Sequence, residues 1–187
     1  SIRWALLASQ ALGRSKAYKL LKSEDVLNTL NCLKVLGVKV IIKDKYCEIF
    51  GKGLNSFKYK KNLTLDVGNS GTLGRLILGL LVHSKEKIKL IGDKSLSKRD
   101  FSRVVLPLKK FGAKFFSKNL NKLPLTIEGS NRSVPIKYIE DKGSAQCKSS
   151  VMLAALNTNG ETIIKAKKSR NHTELLFKHL KIVIMLL

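Results

Sequence analysis

A small polar turn carrying a basic residue and running straight into an apolar stretch occurs three times in this chain of 187 residues. Ser1-Ile2-Arg3 precedes Trp4 to Ala8, and Gly68-Asn69-Ser70-Gly71-Thr72-Leu73-Gly74-Arg75 precedes Leu76 to Val82. Gly143-Ser144-Ala145-Gln146-Cys147-Lys148 precedes Val151 to Leu156. Arg3, Arg75 and Lys148 are spaced by roughly 72 residues, and a fixed period is the mark of an internally repeated fold. Such a period limits the chain to architectures in which three like units bury the same face.

The remainder of each unit repeats as well. Short strands are expected at Lys16 to Leu20, Lys87 to Ile91 and Glu161 to Lys165. Serine-marked loops follow at Ser23, at Ser95 with Ser97, and at Ser169, each ahead of a second helix such as Asp25 to Leu36. Gly37 and Gly112 read as C-terminal caps leading into strands. The third copy runs to about His179-Leu180-Lys181-Ile182-Val183-Ile184. Each unit therefore reads β-α-β-α-β-β, with units at about 1–65, 66–135 and 136–187 of a single domain. The first helices are apolar nearly all round, as Leu76-Ile77-Leu78-Gly79-Leu80-Leu81-Val82 shows, and helices of that kind lie inside. The expected class is α/β (α+β), with three apolar helices packed together and sheets outside.

The glycine turn before Leu76 has a definite chemistry. A helix opening after a small-residue turn aims unpaired N–H groups and the positive end of its dipole at one point, and the fitting occupant is an anion. It is not a nucleotide P-loop, because no lysine follows Gly71 in the Walker position. Taken alone, a Gly/Asn/Ser turn before a helix is more often an ordinary helix cap.

Composition narrows the function classes. No run approaches the roughly 18 apolar residues of a membrane span, and no signal-like segment opens the chain, so the expected location is the cytoplasm. Cys32, Cys47 and Cys147 are odd in number and not in CxxC spacing, which argues for buried free thiols over a disulfide framework or zinc site. The formal charge of +23 raises nucleic-acid binding. Against it, about 29 of the 36 basic residues are lysine, spread through every loop, aromatics are few, and no helix-turn-helix, zinc-finger or RRM signature is present. Nucleic acid is therefore not an expected partner, although a positive field would help a site that collects small phosphates.

Five segments together resemble a known family. They are Gly68-Asn69-Ser70-Gly71-Thr72, Gly92-Asp93-Lys94-Ser95-Leu96-Ser97-Lys98-Arg99, Leu123-Pro124-Leu125-Thr126-Ile127-Glu128-Gly129, Ser144-Ala145-Gln146 and Ser169-Arg170-Asn171-His172-Thr173-Glu174. In this order they are similar to the 3-phosphoshikimate 1-carboxyvinyltransferases, or EPSP synthases. The resemblance implies one of two domains, each built of three β-α-β-α-β-β units that close on substrate. It implies transfer of the enolpyruvyl group of phosphoenolpyruvate to the 5-hydroxyl of shikimate 3-phosphate, without metal or cofactor, in a monomeric full-length enzyme. The chain corresponds to most of one domain, incomplete at both ends. It retains Ser1 and Arg3 of the family's N-terminal motif but lacks that motif's lysine. The catalytic acid–base residues are expected in the other domain, so this segment alone is expected to bind substrate and remain inactive.

Carried over by position, Ser1, Arg3, Ser144, Ala145, Gln146, Ser169 and His172 are implied to contact shikimate 3-phosphate. Gly71, Thr72, Arg99 and Gln146 are implied to contact phosphoenolpyruvate. Ala145 stands where many relatives have serine, so only its N–H could contribute, and His172 stands where some carry a tyrosine. UDP-N-acetylglucosamine enolpyruvyl transferase is the nearest alternative, but its cysteine has no counterpart in Lys94-Ser95-Leu96-Ser97-Lys98. A more distant sharer of the unit, the RNA 3′-terminal phosphate cyclase group, carries a histidine motif not visible here. Without the resemblance, Arg99 reads as a solvated charge, Ser144 and Ser169 as helix N-caps, and Asn69 as a turn former.

Overall fold

The computed structural model describes residues 1–119 and 121–182, so the apolar end of the chain at 183–187 lies outside the described residues. The first stretch runs α1 (Ile2–Gln10), β1 (Leu12–Tyr18), α2 (Glu24–Val35), β2 (Lys39–Ile42) and β3 (Tyr46–Lys52). The second runs β4 (Leu63–Asp66), α3 (Gly71–Leu80), β5 (Ile88–Ile91), the one-turn α4 (Lys94–Ser97), α5 (Ser102–Lys110), β6 (Lys114–Phe116) and β7 (Leu125–Glu128). The third runs β8 (Lys137–Glu140), α6 (Ala145–Leu156), β9 (Ile163–Ala166) and α7 (His172–His179).

The middle sheet has the order β4-β5-β7-β6. Its β4 and β5 are parallel, as a connection through the intervening helix α3 requires, and β7 pairs antiparallel with both β5 and β6. The sheet β1-β3-β2 repeats the antiparallel half of this pattern, and β8-β9 repeats the parallel half. The mixed helix and strand class expected from the repeat is thus observed. Individual boundaries move: β1 begins at Leu12 and ends at Tyr18 because its ladder with β3, from Leu12 opposite Lys52 to Tyr18 opposite Tyr46, sets its ends. Similarly, β4 begins at Leu63, slightly before the unit boundary placed at residue 66. The helix α4 was not expected; Asp93 nucleates it by accepting the Leu96 N–H at 2.7 Å.

The apolar helices lie inside. In α3, Leu73, Leu76, Ile77 and Leu78 are fully buried, and the helix packs against both α1 and α6. Burial of side chains of this size stabilises the fold by about 1.5–3 kcal/mol each. Gly79 permits the approach of α6, since a Cβ there would stand 2.2 Å from the Ser150 carbonyl oxygen. The helices α2 and α5 lie further out and expose Leu27, Val35 and Leu106. The C-terminus of α2 closes through Gly37 at φ +82°, with the Gly37 N–H on Lys34 O and the Val38 N–H on Leu33 O. This double bond pattern satisfies two otherwise orphaned carbonyls and needs a residue at ease with positive φ. Gly112 takes the equivalent place after α5 at φ +105°. Cys32, Cys47 and Cys147 are buried free thiols.

Candidate functional site

Two of the internal helices open on matching turns. Ser70 caps α3 by accepting the Leu73 N–H at 3.2 Å, and Ser144 caps α6 by accepting the Cys147 N–H at 3.3 Å. The N–H groups of Gly71 and Thr72, and of Ala145 and Gln146, have no partner among the described residues. Each pair supplies oriented donors at the positive end of a helix. Aligning the capping serines places Gly71 with Ala145, Thr72 with Gln146 and Arg75 with Ser149. Arg75 and Lys148 are therefore one step out of register; the caps, which fix where each helix begins, carry the repeat more faithfully than the cations do.

The two turns are joined by side chains. Gln146 Nε2 donates to Thr72 Oγ1 at 3.0 Å, and Gln146 Oε1 accepts from Arg75 Nη1 at 3.0 Å. Arg75 also donates to the carbonyls of Gly71 and Asp100 and lies over the Phe101 ring. Burial, with the charges of Arg99 and Arg103 nearby, holds its guanidinium below the ordinary arginine range. A Cβ on Gly71 would stand 2.8 Å from Arg75 Nη1 and 3.3 Å from Arg99 Nη1, so the glycine leaves a bare backbone beneath two guanidinium groups. Arg99 is exposed and has no side-chain hydrogen bond or ion pair among the described residues.

The loop bearing Arg99 is fastened to the glycine turn. The Asp93 N–H bonds Gly68 O at 3.0 Å, and Asn69 Nδ2 donates to the Asp93 carboxylate. The Leu96 N–H first, and then the Asn69 amide, bond the Asp93 carboxylate and lower its carboxyl from the usual value. Asn69 thus shapes the turn, as its residue type suggested.

A second cluster forms where α1, α6 and the start of α7 meet. Arg3 Nε donates to Thr173 Oγ1 at 2.9 Å, and Thr173 shares a 2.7 Å hydrogen bond with Ser149. Lys148 and Glu174 form an ion pair, both nearly buried. Burial lowers the Arg3 guanidinium, and the Arg170 charge adds to that effect. The Ser169 hydroxyl oxygen is buried and has no hydrogen-bond partner among the described residues, an arrangement that fits a group waiting for a ligand. Ser169 is not a helix cap, because α7 begins after Asn171. Ser1 stands at the N-cap of α1, exposed and without a side-chain capping bond. His172 is exposed on the first turn of α7 and joins neither cluster through a side-chain hydrogen bond among the described residues. Sequence reasoning did not single out Ser149, Arg103 and Glu140; Arg103 sits in the first turn of α5, four residues after Arg99 but with no helix joining the two.

Comparison with known proteins decides the family. The family model described as EPSP synthase (3-phosphoshikimate 1-carboxyvinyltransferase) matches residues 1–186. The chain belongs to the EPSP synthase family. A 3-phosphoshikimate 1-carboxyvinyltransferase of Streptococcus mutans is 43% identical over 180 residues, which is 95% of this chain and 42% of the relative. One of Paramagnetospirillum magneticum is 39% identical, over 96% of this chain and 40% of the relative. The solved EPSP synthase of Acinetobacter baumannii superposes with a TM-score of 0.88 at 33% identity, covering 95% of this chain and 40% of that one. The chain thus spans about two fifths of the EPSP synthases it matches. Among the described residues no helix is long and apolar enough to cross a membrane. No group of three His, Cys, Asp or Glu side chains among them could hold a metal ion.

Proposed function

We propose that this chain supplies the anion-binding half of a site that transfers the enolpyruvyl group of phosphoenolpyruvate to the 5-hydroxyl of shikimate 3-phosphate, releasing phosphate. The observation that carries this reading is Gly71, bare beneath the guanidiniums of Arg75 and Arg99 at the start of a buried helix. Phosphoenolpyruvate is assigned to that cradle, with the Gly71 and Thr72 N–H groups below it and Arg99 free to clamp it. Guanidinium presents a planar fork to a carboxylate or phosphate, which lysine cannot copy.

Shikimate 3-phosphate is assigned to the adjoining cluster. Its phosphate would meet the Ser144 hydroxyl, the Ala145 and Gln146 N–H groups, the Ser169 hydroxyl, Arg3 and Arg170. Gln146 lies between the two ligands and would contact both. Two anionic reactants repel, so bringing them together needs cations and oriented donors more than a nucleophile. Ser1 and His172 keep only the family resemblance in their favour. The whole protein is assigned to the cytoplasm, with no resident cofactor.

Calorimetric titration of the chain with shikimate 3-phosphate tests the binding: heat at millimolar ligand is expected, and none would remove the assignment. A phosphate-release assay with both substrates tests the division of labour. This segment is expected to show no turnover by itself, and measurable turnover would place the acid–base chemistry within it.

A further inference from the structure

We infer that Glu140 and Arg103 form a positioning pair that locks the shikimate-phosphate turn to the segment carrying Arg99, an inference that rests on the functional reading above. Glu140 ends β8 and is 3% exposed. Its Oε2 accepts the Ser144 N–H at 2.6 Å, and its Oε1 accepts from Arg103 Nη2 at 2.8 Å. The carboxylate therefore closes the loop between β8 and α6 and ties it to the first turn of α5, four residues after Arg99 in the chain.

Ser144 is consequently held from two sides, its hydroxyl oxygen by the Cys147 N–H and its own N–H by Glu140. This leaves the hydroxyl proton of Ser144 and the N–H groups of Ala145 and Gln146 to face a phosphate. It also removes the Ser144 N–H from the donors available to the ligand. On the other side of the same turn, Gln146 is bonded to Arg75, which reaches the Asp100 carbonyl. Both ties lead to residues 100–103, so the turn that receives one anion and the loop that receives the other form one body. Arg103 also balances the buried carboxylate. A lone negative charge there would repel the phosphate beside it, whereas the pair orients the turn at no net charge.

The test uses this chain and shikimate 3-phosphate, followed by calorimetry and by amide NMR. Glu140→Gln keeps the volume but has one oxygen for two donors, so either the Ser144 N–H or Arg103 loses its acceptor. Arg103→Met removes the charge from a side chain that is half exposed and leaves Glu140 unbalanced. Both variants are expected to melt cooperatively, to bind about tenfold more weakly, and to shift the Ser144 amide resonance. Arg103→Lys, which keeps the charge, is expected to recover part of the affinity, a rescue that a merely packed side chain would not show. Should Glu140→Gln fail to fold, the Arg103 variants carry the test. Binding by wild type and variants within twofold of one another overturns the positioning role alone; absence of binding by the wild type overturns the functional reading and this inference with it.

Discussion

Arg75 on α3 donates a 3.0 Å hydrogen bond to the side-chain oxygen of Gln146 on α6, so the first turns of two buried helices share one network. Thr72 completes it by accepting from the other end of the same amide. Both helices present their positive ends on the side where this network lies, and the amide keeps two pairs of N–H donors at a fixed separation.

Gln146→Leu keeps the bulk and removes both hydrogen bonds. Thr72 Oγ1 then loses its donor and Arg75 an acceptor, which is expected to lower the unfolding free energy by about 1–2 kcal/mol. Shikimate 3-phosphate affinity is expected to fall further than that loss implies, because the amide proposed to reach the ligand is gone and the first turn of α6 is no longer tied to Arg75. Urea melts and calorimetry on the same preparation separate the two effects; an affinity unchanged in a destabilised variant would show that the bridge is only structural.

Two glycines on α3 give opposite expectations. Alanine at Gly71 would press on the ends of two flexible guanidinium groups, which can move aside, and alanine favours a helix by about 1 kcal/mol over glycine. Gly71→Ala should therefore be as stable as wild type while weakening phosphoenolpyruvate binding, since the cradle floor is filled. Alanine at Gly79 would stand 2.2 Å from the Ser150 carbonyl oxygen, which belongs to the facing backbone. The helices would have to part, at a cost of about 3 kcal/mol. Thermal melts of the pair decide it, and a Gly79→Ala protein as stable as wild type would contradict the close approach.

Much of this architecture was legible because the repeat is written in local chemistry. Gly37 and Gly112 mark helix ends by the positive φ they adopt, and the apolar run from Leu76 to Val82 could be stable only inside. The glycine turn and Arg99 could be paired from family likeness alone; the chain does not reveal by local pattern that residues 71 and 99 meet. The short helix α4 was missed because its nucleus is one hydrogen bond from Asp93, too small a signal beside the serines around it. The role of Glu140 was illegible for a different reason. Its partners, Ser144 and Arg103, come from separate units, and a buried carboxylate in sequence looks like any exposed one.

His83 offers a pH test of the packing between the second and third stretches. Its Nδ1 faces Ser133 Oγ at 3.1 Å and its Nε2 faces Thr158 Oγ1 at 3.2 Å and Ala154 O at 3.4 Å, all neutral groups. Burial lowers its pKa below 6.5, although the Ala154 carbonyl works against that shift. The unfolded chain, with the ordinary value, then takes up the proton first as pH falls. The contribution of His83 to stability is full above pH 6.5 and declines below it toward the folded-state value. Following the ring proton of His83 by NMR should give a midpoint below 6.5, and a midpoint above it would contradict burial as the ruling effect.

Ser169 separates a ligand-binding role from a stabilising one. Its hydroxyl oxygen is buried without a partner among the described residues, so among them the cost of desolvating it is met by no hydrogen bond in return. Removing an unsatisfied buried hydroxyl should leave the protein equally stable or firmer by about 1 kcal/mol. If the hydroxyl awaits a phosphate oxygen, the same change takes away one donor from the ligand. Ser169→Ala is therefore expected to hold or raise the melting temperature while weakening shikimate 3-phosphate about tenfold. Ser133→Ala, whose hydroxyl bonds His83 and the Ser130 carbonyl, should do the reverse, losing stability and keeping affinity. A Ser169→Ala variant that binds like wild type would return this serine to the loop and leave the phosphate to Arg3 and the turn of α6.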